Sequence, residues 1–126
     1  MEKRVFFYDT DAGGIVYYGN YLKYLEEART EFLEGKGLGV ASFHERGLMY
    51  AVSKCVIHYR SPARYGEILV CKAELKEATA VKFIFNQTIQ EKKTNRLVVE
   101  AETTLVCLNK EFRPTPIPDD LRRQLT

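Results

Sequence analysis

One amphipathic helical segment followed only by strand-like segments is the feature that most restricts how this chain can fold. Four apolar residues recur at spacings of four, three and four, the period of an α-helix with one buried face. They are Tyr21, Leu25, Ala28 and Phe32. We therefore predict one helix of about 15 residues from about Tyr18. Asn20 is the predicted N-cap, and Gly35, Gly37 and Gly39 are expected to end the helix.

Alternation of apolar and polar residues predicts strands on both sides of this helix. A short strand is expected at residues 3–8, before the helix. Four longer strands are expected after it, over residues 51–60, 69–75, 81–89 and 97–107. We interpret these four strands as an antiparallel meander, because the last three are separated by segments short enough for hairpins.

The remaining segments predict two short helical turns and an extended tail. A short helical turn is expected near residues 41–46. An extended tail is expected over residues 113–118, followed by one helical turn over residues 119–124. Pro114, Pro116 and Pro118 hold that tail extended, because proline fixes φ and removes a backbone donor. With 126 residues, 45% of them hydrophobic and 29% charged, residues 1–126 are expected to form one α+β domain whose sheet curls around the helix.

Charge and cysteine content exclude several classes of function. The net charge is +2 with acidic and basic residues interleaved, so no nucleic-acid partner is expected. Cys55, Cys71 and Cys107 are widely spaced within apolar runs, and we interpret them as small buried side chains that form neither disulfides nor a metal site. No apolar run approaches the length of a membrane span or a secretion signal, so a cytoplasmic location is expected.

A turn rich in aspartate and glycine joins the first strand to the helix. Asp9 and Asp11 precede the adjacent glycines Gly13 and Gly14. One interpretation is an ordinary turn in which the aspartates bond to nearby backbone. The other is a catalytic carboxylate held beside the helix N-terminus, where unpaired N–H groups and the helix dipole can stabilise an oxyanion. We expect Asp9 to be the residue that only supports the loop.

Three segments together resemble one known family. Residues 9–22, DTDAGGIVYYGNYL, resemble the signature of the 4-hydroxybenzoyl-CoA thioesterase family, and in particular its branch of bacterial acyl-CoA thioesterases found beside the Tol-Pal genes. Residues 62–67 and 113–118 resemble the same branch. The resemblance implies the hotdog fold and hydrolysis of an acyl-CoA with a short, medium-length or aromatic acyl group. It implies no cofactor, since coenzyme A is part of the substrate.

The resemblance also implies roles for particular residues. Asp11 occupies the position of the catalytic carboxylate, as general base or nucleophile, and the backbone N–H of Tyr18 occupies that of the group facing the carbonyl oxygen. Many members of the Tol-Pal branch have histidine where this chain has Tyr18, so a histidine-assisted mechanism from that position is not expected. We assign substrate contacts to Gly14, Ile15 and Val16, which lie within the matching segment.

Two arginines are candidates for the phosphates of coenzyme A. Arg60 and Arg64 flank a loop, and a planar guanidinium suits phosphate oxygens. The alternative is that they form ion pairs, either with Glu67 or across a subunit interface.

The family resemblance further implies a homo-oligomer. Two protomers would pair edge to edge into a dimer, often assembled into a tetramer, with active sites at the dimer interface. Three other functions stay open at this stage: a thioesterase acting on acyl carrier protein, a dehydratase, and a non-catalytic module that binds acyl groups. A dehydratase is disfavoured because residues 9–34 contain no histidine.

Overall fold

A computed structural model describes every residue from Met1 to Thr126 and contains one antiparallel sheet and three α-helices. The strands are β1 (Glu2–Arg4), β2 (Met49–Tyr59), β3 (Ile68–Ala78), β4 (Lys82–Glu91) and β5 (Leu97–Leu108). The helices are α1 (Asn20–Gly35), α2 (Val40–Glu45) and α3 (Asp119–Leu125), with one 3₁₀ turn at Phe7–Asp9.

The strand order across the sheet is β1-β3-β4-β5-β2. The predicted four-strand meander is therefore wrong for β2, which pairs with β5 at the far edge instead of with β3. The loop of residues 60–67 between β2 and β3 is too long for a tight hairpin and carries the chain across the sheet. Only β3, β4 and β5 form a meander, and the long strand β2 is left at an edge.

Helix α1 packs on β3 and β4 and forms the centre of the core. Leu25 and Leu33 on this helix are completely buried, as are Phe85 and Ile89 on β4. Fully burying one side chain of this size contributes about 1.5–3 kcal/mol, so the apolar stripe found in the sequence is what holds α1 against the sheet. The α+β prediction of a sheet around one long helix is confirmed.

The first strand is shorter than predicted. We expected residues 3–8, but β1 ends at Arg4 and the chain turns into the 3₁₀ segment. The cause is local: the carboxylate of Asp9 accepts the N–H of Phe6 at 2.8 Å, and the N–H of Asp9 donates to the carbonyl of Phe6 at 3.0 Å. These bonds bend the backbone at Phe6, so the strand cannot continue.

Helix α1 begins at Asn20 and its N-cap is Gly19, so the predicted Asn20 cap is wrong. The side chain of Asn20 donates to the carbonyl of Asp9 at 2.9 Å and is used in a tertiary contact. The C-terminal end agrees with the prediction: α1 stops at Gly35, and Gly37 then takes φ +75°, a conformation that glycine adopts without strain.

The tail after β5 returns along the sheet before α3 begins. Thr115 donates its N–H to the carbonyl of Cys107 at 2.9 Å, and Ile117 donates to that of Ala80 at 2.7 Å. Leu121 and Leu125 of α3 are buried in the half of the core that also contains Leu33. The predicted extended tail and C-terminal helical turn are both confirmed.

The cysteines are unpaired thiols in the sheet. Cys71 and Cys107 are buried as predicted, whereas Cys55 is only half-buried. Burial raises the pKa of Cys71 to about 12, so this thiol stays protonated. None of the helices is both long enough and apolar enough to cross a lipid bilayer.

Candidate active site

The turn that carries Asp11 is closed by a short antiparallel ladder. Asp11 donates its N–H to the carbonyl of Ile15 at 2.9 Å, and Tyr17 donates to the carbonyl of Asp9 at 3.0 Å. Gly14 lies inside the turn at φ +77°, a conformation that a side chain would strain. This geometry fixes the direction of the chain on both sides of Asp11, immediately before α1.

The Asp11 side chain is exposed to solvent at the tip of this turn. Its Oδ1 accepts the N–H of Gly13 at 2.9 Å, the bond expected of an ordinary aspartate turn. Its Oδ2 accepts no hydrogen bond within the chain. The turn therefore orients the carboxylate through one oxygen and leaves the other available to a substrate or a water molecule.

The start of α1 has unused donors. Asn20 donates its N–H to the carbonyl of Tyr17 at 2.9 Å, and later residues of the helix continue in the same way. The N–H groups of Tyr18 and Gly19 donate to no acceptor in the chain. An unpaired pair of backbone donors at a helix N-terminus favours an anion or a developing oxyanion.

A cavity of about 280 Å³ opens beside this helix end. It is lined mostly by apolar and aromatic side chains. They belong to Ile15, Val16, Tyr18, Tyr21, Tyr59, Arg60, Ser61 and Pro62. Four residues predicted to contact substrate or carbonyl are thus brought to one cavity, namely Ile15, Val16, Tyr18 and Arg60. Asp11, Gly14 and Arg64 are not among its lining residues.

Tyr59 is a cavity residue that the sequence did not single out. It is the last residue of β2, and its ring lies 5.8 Å from that of Tyr21 and 6.2 Å from that of Tyr18. The only sequence signal is an aromatic residue at the end of a strand, directly before Arg60. Tyr21 in turn anchors the loop opposite, because its hydroxyl accepts the N–H of Ala63 at 3.1 Å. Burial raises the pKa of Tyr21, so its hydroxyl remains protonated at neutral pH.

The two candidate arginines have different surroundings. Arg60 forms an ion pair with Glu100 at 2.9 Å, and both side chains are about half-exposed. The expected alternative, an ion pair between one of these arginines and Glu67, is wrong, because Glu67 pairs with Arg96 at 2.8 Å. The guanidinium of Arg64 joins no ion pair, while its backbone N–H donates to Glu67 at 2.7 Å.

Asp9 has the supporting position that we expected. Its side chain is buried, and its carboxylate is held by the N–H of Phe6. The hydroxyl of Tyr24 is buried nearby without a hydrogen bond of good geometry. Burial and then the charge of Asp9 raise the pKa of Tyr24, which keeps this hydroxyl neutral. Asp9 thus stabilises the loop from inside, whereas Asp11 faces outward.

Comparison with known proteins supports the fold and identifies the family. Residues 5–125 match the thioesterase-like superfamily. The chain is 31% identical over 119 residues to the acyl-CoA thioester hydrolase YbgC of Escherichia coli O6:H1, covering 94% of this chain and 88% of that protein.

One further relative and one solved structure are informative. The acyl-acyl carrier protein thioesterase ATL3 of Arabidopsis thaliana is 30% identical over 122 residues, which cover 97% of this chain and 64% of ATL3. A 4-hydroxybenzoyl-CoA thioesterase solved with 4-hydroxybenzoyl-CoA has the same fold, with a TM-score of 0.91 over 100% of this chain and 96% of that chain, at 23% identity. From the hotdog arrangement of sheet and helix and the match over nearly its whole length, the chain belongs to the thioesterase-like superfamily.

Proposed function

We propose that this protein hydrolyses the thioester bond of acyl-CoA to a free acid and coenzyme A, with Asp11 as the catalytic carboxylate. The proposal rests on family membership for the reaction and on the geometry of the turn before α1 for the residue. No metal or cofactor is part of the proposal, and coenzyme A enters only as part of the substrate.

The observation that carries the assignment is the pair of unused donors beside the Asp11 turn. The N–H groups of Tyr18 and Gly19 have no acceptor in the chain, and they lie at the positive end of the α1 dipole. A carbonyl oxygen placed there gains negative charge as the thioester is attacked. One donor of this kind is typically worth about 10²–10³ in rate.

Two chemical routes are compatible with this geometry. In the first, Asp11 takes a proton from water while the water oxygen attacks the carbonyl carbon, and the C–S bond then breaks to release the thiol of coenzyme A. In the second, Asp11 attacks the carbonyl carbon directly, the thiol leaves, and water hydrolyses the resulting mixed anhydride. The unbonded Oδ2 could serve in either role.

The cavity beside α1 is proposed to receive the acyl group. Ile15, Val16 and the tyrosine rings provide apolar contact, which suits short, medium-length or aromatic acyl groups. Arg64 and Arg60 are proposed to meet the phosphates of coenzyme A. Arg64 is the more accessible of the two to an anion, because Arg60 already pairs with Glu100.

An acyl carrier protein is the alternative carrier of the substrate. The observation that favours it is the likeness to ATL3, which acts on acyl carrier protein thioesters. Parallel assays with the same acyl group on both carriers discriminate between the two. A non-catalytic acyl-binding module has no such support from the named relatives.

We also propose that the protein acts as a dimer or a tetramer of dimers in the cytoplasm. Strand β2 is bonded only to β5 and presents an edge of 11 residues. Long unpaired edges favour pairing with a second chain, and a partner there would cover the open side of the cavity near Tyr59. The three free cysteines fit a reducing compartment.

The decisive experiment measures thiol release from a panel of acyl-CoAs by wild type, Asp11→Asn and Asp11→Ala. Both variants should lose at least about 10² in kcat while circular dichroism and substrate binding are retained. Asp119→Asn changes an exposed aspartate in α3 and is the matched control. Full activity in both Asp11 variants, or no hydrolysis by wild type, would contradict the proposal.

A single turnover in H₂¹⁸O tests for direct attack. If Asp11 attacks the thioester and water then attacks the Asp11 carbonyl carbon of the anhydride, an enzyme oxygen appears in the first acid released and the heavy oxygen in the Asp11 carboxylate. A water route, or water attack on the acyl carbon of the anhydride, places the heavy oxygen in the acid and leaves Asp11 unlabelled, and trapping of the anhydride with hydroxylamine distinguishes these two. Mass spectrometry of the product and of the peptide that contains Asp11 reads both.

A further inference from the structure

The loop between β2 and β3, residues 60–67, lies against the turn that carries Asp11. Val16 donates its N–H to the carbonyl of Ala63 at 2.9 Å, and Ala63 is completely buried. Ile15, the residue before Val16, accepts the N–H of Asp11 at 2.9 Å. Two consecutive residues thus join the 60–67 loop on one side to the Asp11 turn on the other, so the position of Asp11 depends on what holds the loop.

Arg96, directly before β5, donates hydrogen bonds to three residues of this loop. Its Nε donates to Oγ of Ser61 at 3.3 Å, and one terminal nitrogen donates to the carbonyl of Pro62 at 3.0 Å. The same nitrogen contacts both carboxylate oxygens of Glu67, at 2.8 and 3.0 Å. A planar guanidinium has donors fixed in directions that suit several acceptors at once, whereas the single ammonium of a lysine does not.

One peptide group connects Arg96 to α1. The carbonyl of Pro62 and the N–H of Ala63 belong to the same planar peptide unit. Its oxygen accepts a hydrogen bond from Arg96, and its N–H donates to the hydroxyl of Tyr21 at 3.1 Å. Tyr21 lies in the first turn of α1, next to the backbone donors that have no acceptor. Arg96 is therefore linked through one rigid unit to the start of the helix.

Glu67 holds the other end of the same loop. Its Oε1 accepts the backbone N–H of Arg64 at 2.7 Å, and its own carbonyl accepts the N–H of Val5 at 2.9 Å. The Arg96–Glu67 pair is the least exposed of the six ion pairs, with side chains 35% and 21% exposed. Partly buried pairs are screened less by salt than exposed pairs are. The loop is thus held at both ends by one shielded ion pair.

We propose that Arg96 and Glu67 are positioning residues for thioester hydrolysis, which hold the 60–67 loop so that the Asp11 turn stays aligned with the start of α1. This inference rests on the proposed function of Asp11 and deepens it. Neither residue touches the substrate in this role, and both act through the Pro62–Ala63 peptide and the Val16 N–H. The role also explains what residues 62–67, one of the three family-like segments, do for the reaction.

The first test compares the kinetics of variants at the ion pair. Arg96→Gln should lower kcat about tenfold and change KM for an acyl-CoA by less than about twofold, because it displaces Asp11 without removing a substrate contact. Lys76→Gln is the matched control, since it breaks an ion pair of the same 2.8 Å length between β3 and β5, and it should keep the wild-type kcat. A raised KM with unchanged kcat would make Arg96 a substrate contact and would overturn the proposal.

A second variant at the same position protects the test against a folding defect. Arg96→Lys keeps a positive charge beside Glu67 and should keep the wild-type melting temperature. Its single ammonium cannot replace the bonds to Ser61 and Pro62, so kcat should still fall about threefold.

The Asp11→Asn background separates positioning from general destabilisation. If Arg96 acts by placing the Asp11 carboxylate, Arg96→Gln should lower the residual kcat of Asp11→Asn by less than about twofold. The same tenfold loss in both backgrounds would mean that Arg96 acts independently of Asp11, and would overturn the proposal.

Hydrogen exchange at Val16 reports the contact without any substrate. The residue is buried and its N–H is bonded to the loop. Arg96→Gln and Glu67→Gln should each speed exchange of this amide at least about tenfold, while Lys76→Gln leaves it within about twofold of wild type. Amides of β4 should keep their wild-type rates, which excludes a global loss of stability. Unchanged exchange at Val16 in both ion-pair variants would overturn the proposal whatever the kinetics show.

The exchange measurement also separates this inference from the proposed function. If Val16 responds as expected but wild type hydrolyses no thioester, or Asp11→Asn keeps full activity, the proposed function fails while the hold of Arg96 on the turn is supported. If Asp11→Asn loses activity and Arg96→Gln leaves both kcat and the Val16 exchange rate at wild-type values, the proposed function stands and only the positioning role is overturned.

Discussion

Asn20, the first residue of α1, donates its side-chain N–H to the carbonyl of Asp9 at 2.9 Å. This bond ties the start of the helix to the loop from inside, across the turn that carries Asp11. The same carbonyl accepts the N–H of Tyr17, so two donors meet on one oxygen. The position of the carboxylate relative to the free N–H groups of Tyr18 and Gly19 depends on this connection.

Asn20→Ala should therefore reduce kcat more than it raises KM. Alanine is a good helix residue, so α1 should remain, while the turn loses one of its two ties to Asp9. A displacement of a catalytic group by about 1 Å can lower the rate by up to about 10². We expect the smaller displacement of Asp11 in this variant to lower kcat about tenfold. Steady-state kinetics and thermal melting measure the two effects. Lys23→Ala on the exposed face of α1 is the control, and an unchanged kcat in Asn20→Ala would contradict the role.

Gln87→Leu should destabilise the fold by about 2–4 kcal/mol. Gln87 is buried, and its side chain bonds to Arg29, to the carbonyl of Leu25 and to Thr103. Leucine would leave Arg29 without its one hydrogen bond, and burial already lowers the pKa of Arg29. Urea unfolding measures the loss. Asn86→Leu, at the exposed neighbouring position on β4, should change stability far less, and similar values for both variants would refute the prediction.

Glu91→Gln should lower stability at neutral pH and have a diminishing effect in acid. The carboxylate of Glu91 accepts the N–H groups of Lys93 and Thr94 at 2.8 and 2.9 Å in the β4–β5 turn. These bonds hold the pKa of Glu91 below its ordinary 4.5, and the bond from the N–H of Lys93 has the largest effect. A carboxyl whose pKa is lowered on folding stabilises the protein above its unfolded pKa, and this contribution disappears as pH falls through the folded value.

Melting temperatures of wild type and Glu91→Gln should accordingly differ at pH 7 and converge below pH 4.5. Glu77→Gln changes an exposed glutamate of β3 whose side chain makes no hydrogen bond, and it should follow wild type throughout. A constant difference across this range would mean that the turn is held by packing rather than by the ionised carboxylate.

Assembly through β2 should make activity depend on protein concentration. Light scattering should give a mass that is a multiple of 14.6 kDa. On dilution to monomers, specific activity should fall together with mass, because the cavity near Tyr59 opens onto the strand edge that the second chain would cover. Full activity in a sample that is entirely monomeric would exclude a partner contribution to the site.

The α+β class, the central helix and four of the five strands could be predicted from the sequence alone, because period and apolar pattern are local properties. The Asp11 turn could be located in the same way, since aspartate and glycine favour turns in the local backbone. The length of β1 could not, because it depends on the bond between the Asp9 carboxylate and the N–H of Phe6. The cap of α1 could not, because the side chain of Asn20 bonds to the carbonyl of Asp9 across 11 positions.

The strand order and the cavity beside α1 were decided only by the tertiary structure. Residues 60–67 cross the sheet and leave β2 at its edge, which puts Tyr59 beside Tyr21. Glu67 likewise forms an ion pair with Arg96, although Arg60 is closer to it in sequence. The sequence alone determined which residues could bury apolar surface, bend the chain or carry charge. Which of them meet depended on how the sheet and helix packed, because contacts between distant residues form only when the whole core closes.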